Sequence, residues 1–100
     1  MDVFIIVEMF KGGATPKIRG VYQNEMEANE NKNDYRFAFI DKQKLIQTSK
    51  EKNNKEVYVV MELMTLNVPN VIGVFKNKEL AEEMAISCKY SAQVIEEQLN

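Results

Sequence analysis

The chain has 100 residues, of which 45% are hydrophobic and 28% are charged, and its formal net charge is −2 at pH 7. These values fit one soluble globular domain over residues 1–100, exclude a disordered chain, and give no overall attraction to nucleic acid or anionic membranes. One cysteine and no histidine occur, which excludes an internal disulfide and removes the usual general base and zinc ligand. We therefore expect a non-enzymatic protein with no catalytic residue, metal or cofactor.

The sequence repeats one pattern at an interval of 53 to 55 residues. Val3–Met9 matches Val57–Leu63, and Ile18–Glu30 (IRGVYQNEMEANE) matches Val71–Glu83 (VIGVFKNKELAEE). Further matches join Tyr35, Ile40 and Gln43 to Tyr90, Ile95 and Gln98. Internal similarity of this kind indicates two copies of one supersecondary unit, with repeat one at about residues 2–43, a linker at about 44–56 and repeat two at about 57–100.

Each repeat is predicted to be a β-β-α-β unit, because β-branched and aromatic residues dominate its strands and polar caps precede its helix. In chain order, repeat one has strands at Val3–Phe10 and Ile18–Gln23, a helix at Glu25–Asn33 and a strand at Tyr35–Asp41. Repeat two has strands at Val57–Met64 and Val71–Lys76, a helix at Lys78–Lys89 and a strand at Ala92–Gln98.

Glycine and proline mark the turns and one irregularity of these strands. Gly12-Gly13 and the segment around Pro69 are expected to form the two hairpin turns. Gly20 and Gly73 lie inside the second strand of each repeat, where a missing side chain indicates a bulge or a close approach.

The two predicted helices begin alike and differ in their apolar faces. Asn24 and Asn77 precede them at the N-cap position, where an Asn side chain accepts a hydrogen bond from the first turn. The first helix offers only Met26 and Ala28 as apolar residues, so we expect it to be short. The second has an apolar stripe that ends in a cysteine expected to be a buried structural thiol: Leu80, Ala81, Met84, Ala85 and Cys88.

The segment GVFKNKELAEEMA, from Gly73 to Ala85, resembles small domains of bacteria and their phages. Those domains have a strand–strand–helix–strand outline and mostly unknown function. The resemblance covers repeat two well and repeat one loosely, because the first helix departs from the pattern. It implies a bacterial or phage accessory protein that carries such a domain in tandem, and it provides no catalytic residues.

We predict an α+β fold in which two tandem β-β-α-β units form one mainly antiparallel sheet of about six strands with two helices on one face. Because consecutive strands usually pair, the last strand of repeat one is expected to lie antiparallel to the first strand of repeat two. Glu8 and Glu62 hold equivalent strand positions that the sheet can bring together. Two solvated strand residues are favoured there over an acid–base pair.

Both faces of the first strand of each repeat are apolar, although a sheet with helices on one side needs only one apolar face. Two interpretations of the second face remain open. Either loops or curling of the sheet cover it, or it contacts another molecule, most simply a second copy of the chain. The interface candidates are Phe4, Ile6, Phe10, Tyr58, Val60 and Met64.

The segment Lys42–Lys55 is strongly basic, with five lysines against one acidic residue, Glu51. A basic loop can bind phosphates, with sheet aromatics such as Phe37 and Phe39 as stacking platforms. A solvated connector whose lysines prevent strand pairing with neighbours is the favoured alternative. The basic candidates are Lys42, Lys44, Lys50, Lys52 and Lys55, and the remaining aromatic candidates are Phe4, Tyr35 and Tyr58.

The favoured function is a small non-catalytic protein-interaction module, an adaptor or inhibitor, that acts through a sheet face and loops. Its partner is expected to be another protein or a second copy in a homodimer, and the alternative is a nucleic acid or an acidic partner. The apolar run Val3–Phe10 is too short to span a membrane and lacks the features of a signal peptide. We therefore expect no membrane partner and a cytoplasmic location, in the host cytoplasm if a phage encodes the protein.

Overall fold

The computed structural model describes residues 1–47 and 54–100. Each predicted strand and helix is present, and the third strand differs most, because it begins at Ala38 instead of Tyr35 and continues to Ile46. The elements in chain order are β1 (Asp2–Glu8), β2 (Lys17–Tyr22), α1 (Glu25–Lys32), β3 (Ala38–Ile46), β4 (Glu56–Met64), β5 (Val68–Phe75), α2 (Lys78–Ser87) and β6 (Ser91–Gln98).

The strands form one mixed six-stranded sheet in the order β2-β1-β3-β5-β4-β6. Pairing is antiparallel within the first three strands and within the last three, whereas β3 and β5 are parallel. The expected antiparallel pairing of β3 with β4 is therefore wrong. β4 has no free edge for β3, because β5 and β6 occupy its two sides.

The two outer strands of this order also meet, so the sheet curls. An isolated parallel bridge joins Val21 of β2 to Leu99. The Gln23 backbone N–H donates to the Asn100 carbonyl at 2.8 Å, and the Asn100 N–H donates to the Val21 carbonyl at 2.9 Å. These bonds occupy backbone groups that an edge strand otherwise presents to other chains.

The inner face of the curled sheet forms one apolar core that contains side chains from both halves of the chain. Alternation along β1 and β4 points every second residue inward, and the inward residues Val3 and Val59 are fully buried. The same cluster contains Ile5, Val7, Val21, Leu45, Val57, Met61, Val71, Val74 and Leu99. Curling therefore covers one of the two apolar faces that the sequence presents.

The two helices cover the outer face. Val60 packs with Phe75 and with Ala81 of α2 in a second cluster. In the first half, α1 contacts β1, β2 and β3, and its Ala28 is fully buried. The prediction of an α+β fold with a six-stranded sheet and two helices is thus confirmed, and the sheet is mixed and curled.

The glycines inside β2 and β5 lie at matching irregularities, as predicted. The β1–β2 and β4–β5 registers each shift by one residue just after Gly20 and Gly73 pair with the neighbouring strand. An added Cβ would meet the Tyr22 ring at 2.7 Å from Gly20 and the Phe75 ring at 3.0 Å from Gly73. An aromatic ring two residues further along therefore covers each glycine.

The helix caps are also confirmed. The Asn24 side chain accepts hydrogen bonds from the N–H groups of Met26 (2.8 Å) and Glu27 (3.2 Å). The Asn77 side chain accepts one from the Leu80 N–H at 3.1 Å. In α1 only Ala28 is buried, which agrees with the expected lack of an apolar face.

The two hairpin turns have left-handed backbone at their tips and touch each other. Gly12 and Gly13 have φ of 78° and 75°, and Leu66 and Asn67 have φ of 64° and 56°. The second turn therefore precedes the predicted position, because Pro69 lies within β5 and pairs with Leu63. The Asn67 side-chain amide donates to the Gly13 carbonyl, which joins the two tips at one end of the molecule.

Candidate functional site

Most of the predicted interface residues are buried. Phe4 is 8% exposed, and Ile6 and Val60 are fully buried, because the helices cover the outer face. Tyr58 is half-buried against the α2 cluster. The predicted residues therefore do not form a continuous surface. Besides Tyr58, the partly exposed candidates are Phe10 and Met64, beyond or at the ends of β1 and β4.

Phe10 belongs to an open apolar pocket at the hairpin end of the molecule. The pocket has a volume of about 410 Å³. Its walls come from the chain just after β1 and from the start of β3: Met9, Phe10, Lys11, Phe37, Ala38 and Phe39. It is a small cavity on the scale of ligand-binding sites, and its lining is predominantly apolar.

The register between β1 and β3 explains why this pocket is apolar. Phe39 pairs with Val7, so both side chains lie on the inner face of the sheet. The Met9 N–H donates to the Phe37 carbonyl at 2.7 Å, which continues the pairing beyond the end of β1. The row of apolar side chains on the inner face therefore continues past the buried core, where Phe37 and Phe39 remain 45% and 39% exposed.

Two cations flank the exposed ring of Phe37. The Lys11 Nζ and the Arg36 Cζ each lie 5.5 Å from the centroid of that ring. At this distance a cation is attracted by the face of the ring. Within residues 1–47 and 54–100, neither cation has an ion-pair partner, whereas neighbouring Arg19 binds Glu8 at 2.5 Å. We call Met9, Phe10, Lys11, Arg36, Phe37 and Phe39 the hairpin-end surface.

The lysine segment does not share a surface with these aromatic residues. Lys42 pairs with Phe4 in the sheet and therefore points to the outer face, opposite to Phe37 and Phe39. Lys42 and Lys44 also contact the Asp2 carboxylate at 3.7 and 2.7 Å. Lys55 is exposed, and the predicted Lys50 and Lys52 lie outside the described residues.

The carboxylates considered from the sequence have structural partners. β1 and β4 are separated by two strands, so Glu8 and Glu62 are not neighbours in the sheet. Glu62 is 7% exposed and accepts hydrogen bonds from the Tyr90 N–H at 3.1 Å and the Asn70 amide at 3.5 Å. This carboxylate fixes the chain that enters β6.

The surroundings of the single thiol disfavour its thiolate form. Cys88 was predicted to be a buried structural thiol and is partly buried, and its Sγ lies 3.3 Å from the Met84 carbonyl. Burial raises the pKa of the Cys88 thiol, and the nearby Glu62 carboxylate raises it further. No cluster of three or more metal-ligating side chains occurs within the described part of the chain.

Sequence reasoning missed a polar pair on the inner face. Asp41 pairs with Ile5 and therefore points inward, and burial raises the pKa of its carboxyl. The Gln43 amide donates to Asp41 at 3.4 Å and to the Val71 carbonyl of β5 at 3.2 Å. The corresponding pair in the second half is Val59 with Ile95, so Asp41 and Ile95 hold equivalent positions 54 residues apart. The sequence comparison matches Ile40 to Ile95 at an interval of 55, one residue away from this register, and therefore does not point to Asp41.

Comparison of the chain with protein-family models, with curated proteins and with solved structures finds no match. No helix among residues 1–47 and 54–100 has the length and apolar character needed to cross a membrane.

Proposed function

We propose that the chain is a non-catalytic protein-interaction module, an adaptor or inhibitor, that binds its partner through the hairpin-end surface. The observation that carries this proposal is the apolar stripe that leaves the core and remains exposed at Phe37 and Phe39. Exposed aromatic side chains around a pocket are typical anchors of protein interfaces. The nearby cations supply a polar rim.

The proposal moves the interface from the outer face of the sheet to one end of its inner face. Of the outer-face candidates it keeps Phe10, which lines the pocket. Binding there does not require α1 or α2 to leave the sheet. It also assigns no chemistry to the surface, because Glu62 and Cys88 are engaged elsewhere.

We further propose that the two halves are tandem β-β-α-β repeats and that the protein is a cytoplasmic accessory protein of bacterial or phage origin. The repeat is supported by the same order of elements and by the same combination of bulge glycine, covering aromatic and Asn cap in each half. The origin rests on the resemblance of Gly73–Ala85 to domains of bacteria and their phages.

The partner is either another protein or a second copy of the chain. For a second copy, the surface would form an isologous contact across a two-fold axis. The alternative nucleic-acid partner gains no support, because Lys42 and Phe39 lie on opposite faces of β3. We therefore treat nucleic acid as an outcome of the test.

The test compares three tagged chains in affinity capture from bacterial lysate, with and without nuclease treatment, and in light scattering. The chains are the wild type, Phe37→Ser/Phe39→Ser, and the control Ile86→Ser, whose residue is 85% exposed on α2. We expect the double variant to lose the captured protein, or the dimer mass, while Ile86→Ser keeps it. Equal capture and equal mass for all three chains contradict the proposal, as does capture that disappears only after nuclease treatment. Circular dichroism checks that the variants fold.

A further inference from the structure

We infer that the partner binds as an extended acidic segment that adds a strand to the free edge of β3 and places an apolar side chain in the pocket. This inference rests on the proposed function and specifies its geometry. It follows from the pairing of β3 and β5, from the shape of the pocket and from the charges that flank it.

The edge of β3 that faces β5 is largely unpaired. β3 and β5 pair only at Leu45 with Val74 and at Ile46 with Phe75. On the other side, β3 pairs with β1 along its length. Among the described residues, the β5-facing edge of β3 therefore has no strand partner from Ala38 to Lys42. A free edge of this kind accepts an extended peptide through main-chain hydrogen bonds.

The directions of the backbone N–H and C=O groups of β3 also indicate a free edge. The Met9 N–H donates to the Phe37 carbonyl, and the Leu45 N–H donates to the Met1 carbonyl, so odd residues of β3 face β1. The alternate residues then present their N–H and C=O toward β5. The bond from the Lys76 N–H to the Ile46 carbonyl has that direction. Among the described residues, the free donors and acceptors on this edge therefore belong to Ala38, Ile40 and Lys42.

Gln43 shows where the two strands begin to separate. Its side-chain amide reaches the Val71 carbonyl of β5 at 3.2 Å, in place of a backbone bond between the strands. From there toward the hairpin end, no residue pair joins β3 to β5 in the described chain. The edge opens toward Phe39 and Phe37, so an added strand lies beside the pocket.

The pocket suits a side chain from such a strand better than a free small molecule. Small-molecule sites enclose most of the ligand surface. Here Phe37 and Phe39 remain 45% and 39% exposed, so one side of the pocket is open. An apolar side chain can enter it while its own backbone stays on the β3 edge.

The charges near the pocket favour an acidic sequence for the incoming segment. Lys11 and Arg36 flank the Phe37 ring, and no carboxylate lines the pocket. Lys42 lies on the same edge but points to the outer face, so it can attract only a carboxylate on the outer side of the added strand, and it is 3.7 Å from the Asp2 carboxylate. Lysines on an edge discourage pairing with strands in general, whereas carboxylates on the incoming segment would be attracted.

The test uses the synthetic peptide Glu-Val-Glu-Phe-Glu-Val-Glu, its counterpart with Lys in place of every Glu, and a version N-methylated at alternate residues. Fluorescence anisotropy measures binding of the labelled peptides to the intact chain. We expect the acidic peptide to bind at least about tenfold more tightly than the lysine peptide and the N-methylated peptide. Phe37→Ser should weaken binding by about tenfold or more, and Ile86→Ser should not.

Hydrogen exchange monitored by NMR locates the contact. We expect the acidic peptide to slow exchange of the Ala38, Ile40 and Lys42 amides. Equal affinity for acidic and basic peptides, tighter binding of a single-stranded oligothymidine, or unchanged exchange at these amides would overturn the inference. If Phe37→Ser/Phe39→Ser still abolishes capture of the natural partner in that case, the proposed function stands without strand addition.

Discussion

Replacement of Gly20 by alanine should destabilise the fold more than the same change at Gly73. A Cβ at Gly20 would lie 2.7 Å from Cε2 of Tyr22, and the φ of 159° is one that L-residues rarely adopt. At Gly73 the nearest atom is Cε2 of Phe75 at 3.0 Å, and φ is not positive. Overpacking by one methyl group costs about 1–3 kcal/mol. We therefore expect a loss of about 2 kcal/mol for Gly20→Ala and about 1 kcal/mol for Gly73→Ala.

Urea unfolding followed by circular dichroism measures both losses, and for a chain of this length about 2 kcal/mol lowers Tm by roughly 10 °C. A double-mutant cycle isolates the cause. If the Tyr22 ring produces the clash, Gly20→Ala costs less in a Tyr22→Ala background than in the wild type. Equal losses at the two glycines, or the same cost of Gly20→Ala with and without the ring, would refute the assignment of this contact.

Two further substitutions test features that lie near the proposed site. Burial raises the pKa of the Asp41 carboxyl above 3.8, so the folded state binds more protons and stability falls as pH rises between that value and the raised one. Asp41→Asn should remove this fall and leave the urea midpoint at pH 7 equal to or above that of the wild type. The exposed Asp34→Asn serves as the control. A lower midpoint for Asp41→Asn contradicts the raised pKa of this carboxyl. Leu66 is 87% exposed and has φ of 64°, a backbone conformation that is strained for a residue with a side chain. Leu66→Gly should therefore raise the free energy of unfolding by up to about 1 kcal/mol. A loss of stability in thermal melts would contradict this backbone strain.

Local features of the fold could be predicted from the sequence because they depend on neighbouring residues. An Asn before a helix caps it, and a glycine in a strand marks a bulge, whatever the rest of the chain does. Asn24, Asn77, Gly20 and Gly73 therefore have their predicted roles. The weak apolar face of α1 followed in the same way from its composition.

The pairing between the two halves could not be predicted, because it depends on contacts between residues far apart in the chain. β4 uses both of its edges within its own half, and this places β5 beside β3. A slip of one residue in the alignment of the third strands exchanges the two faces of a strand. The sequence comparison matches Ile40 to Ile95, whereas in the structure Asp41 holds the position equivalent to Ile95 and faces inward.

The proposed site lies on the inner face of the sheet, whereas the predicted interface lies on the outer face, for a related reason. Both parities of β1 and β4 are apolar, and the sequence does not say which face curling buries and which face the helices cover. The helices cover Phe4 and Val60, so these two interface candidates are buried within the chain. The sequence indicates Phe37 and Phe39 only as stacking platforms. Their exposure follows from a register that carries the inner stripe beyond the end of β1.

Site-specific photo-crosslinking tests most directly whether the partner occupies the hairpin-end surface. A benzophenone side chain is placed at Phe39 in one chain and at Ile86, on the exposed side of α2, in another. After capture of the partner and irradiation, we predict a covalent adduct from the Phe39 position and none from the Ile86 position. Crosslinks from Ile86 alone, with none from Phe39, would contradict the account.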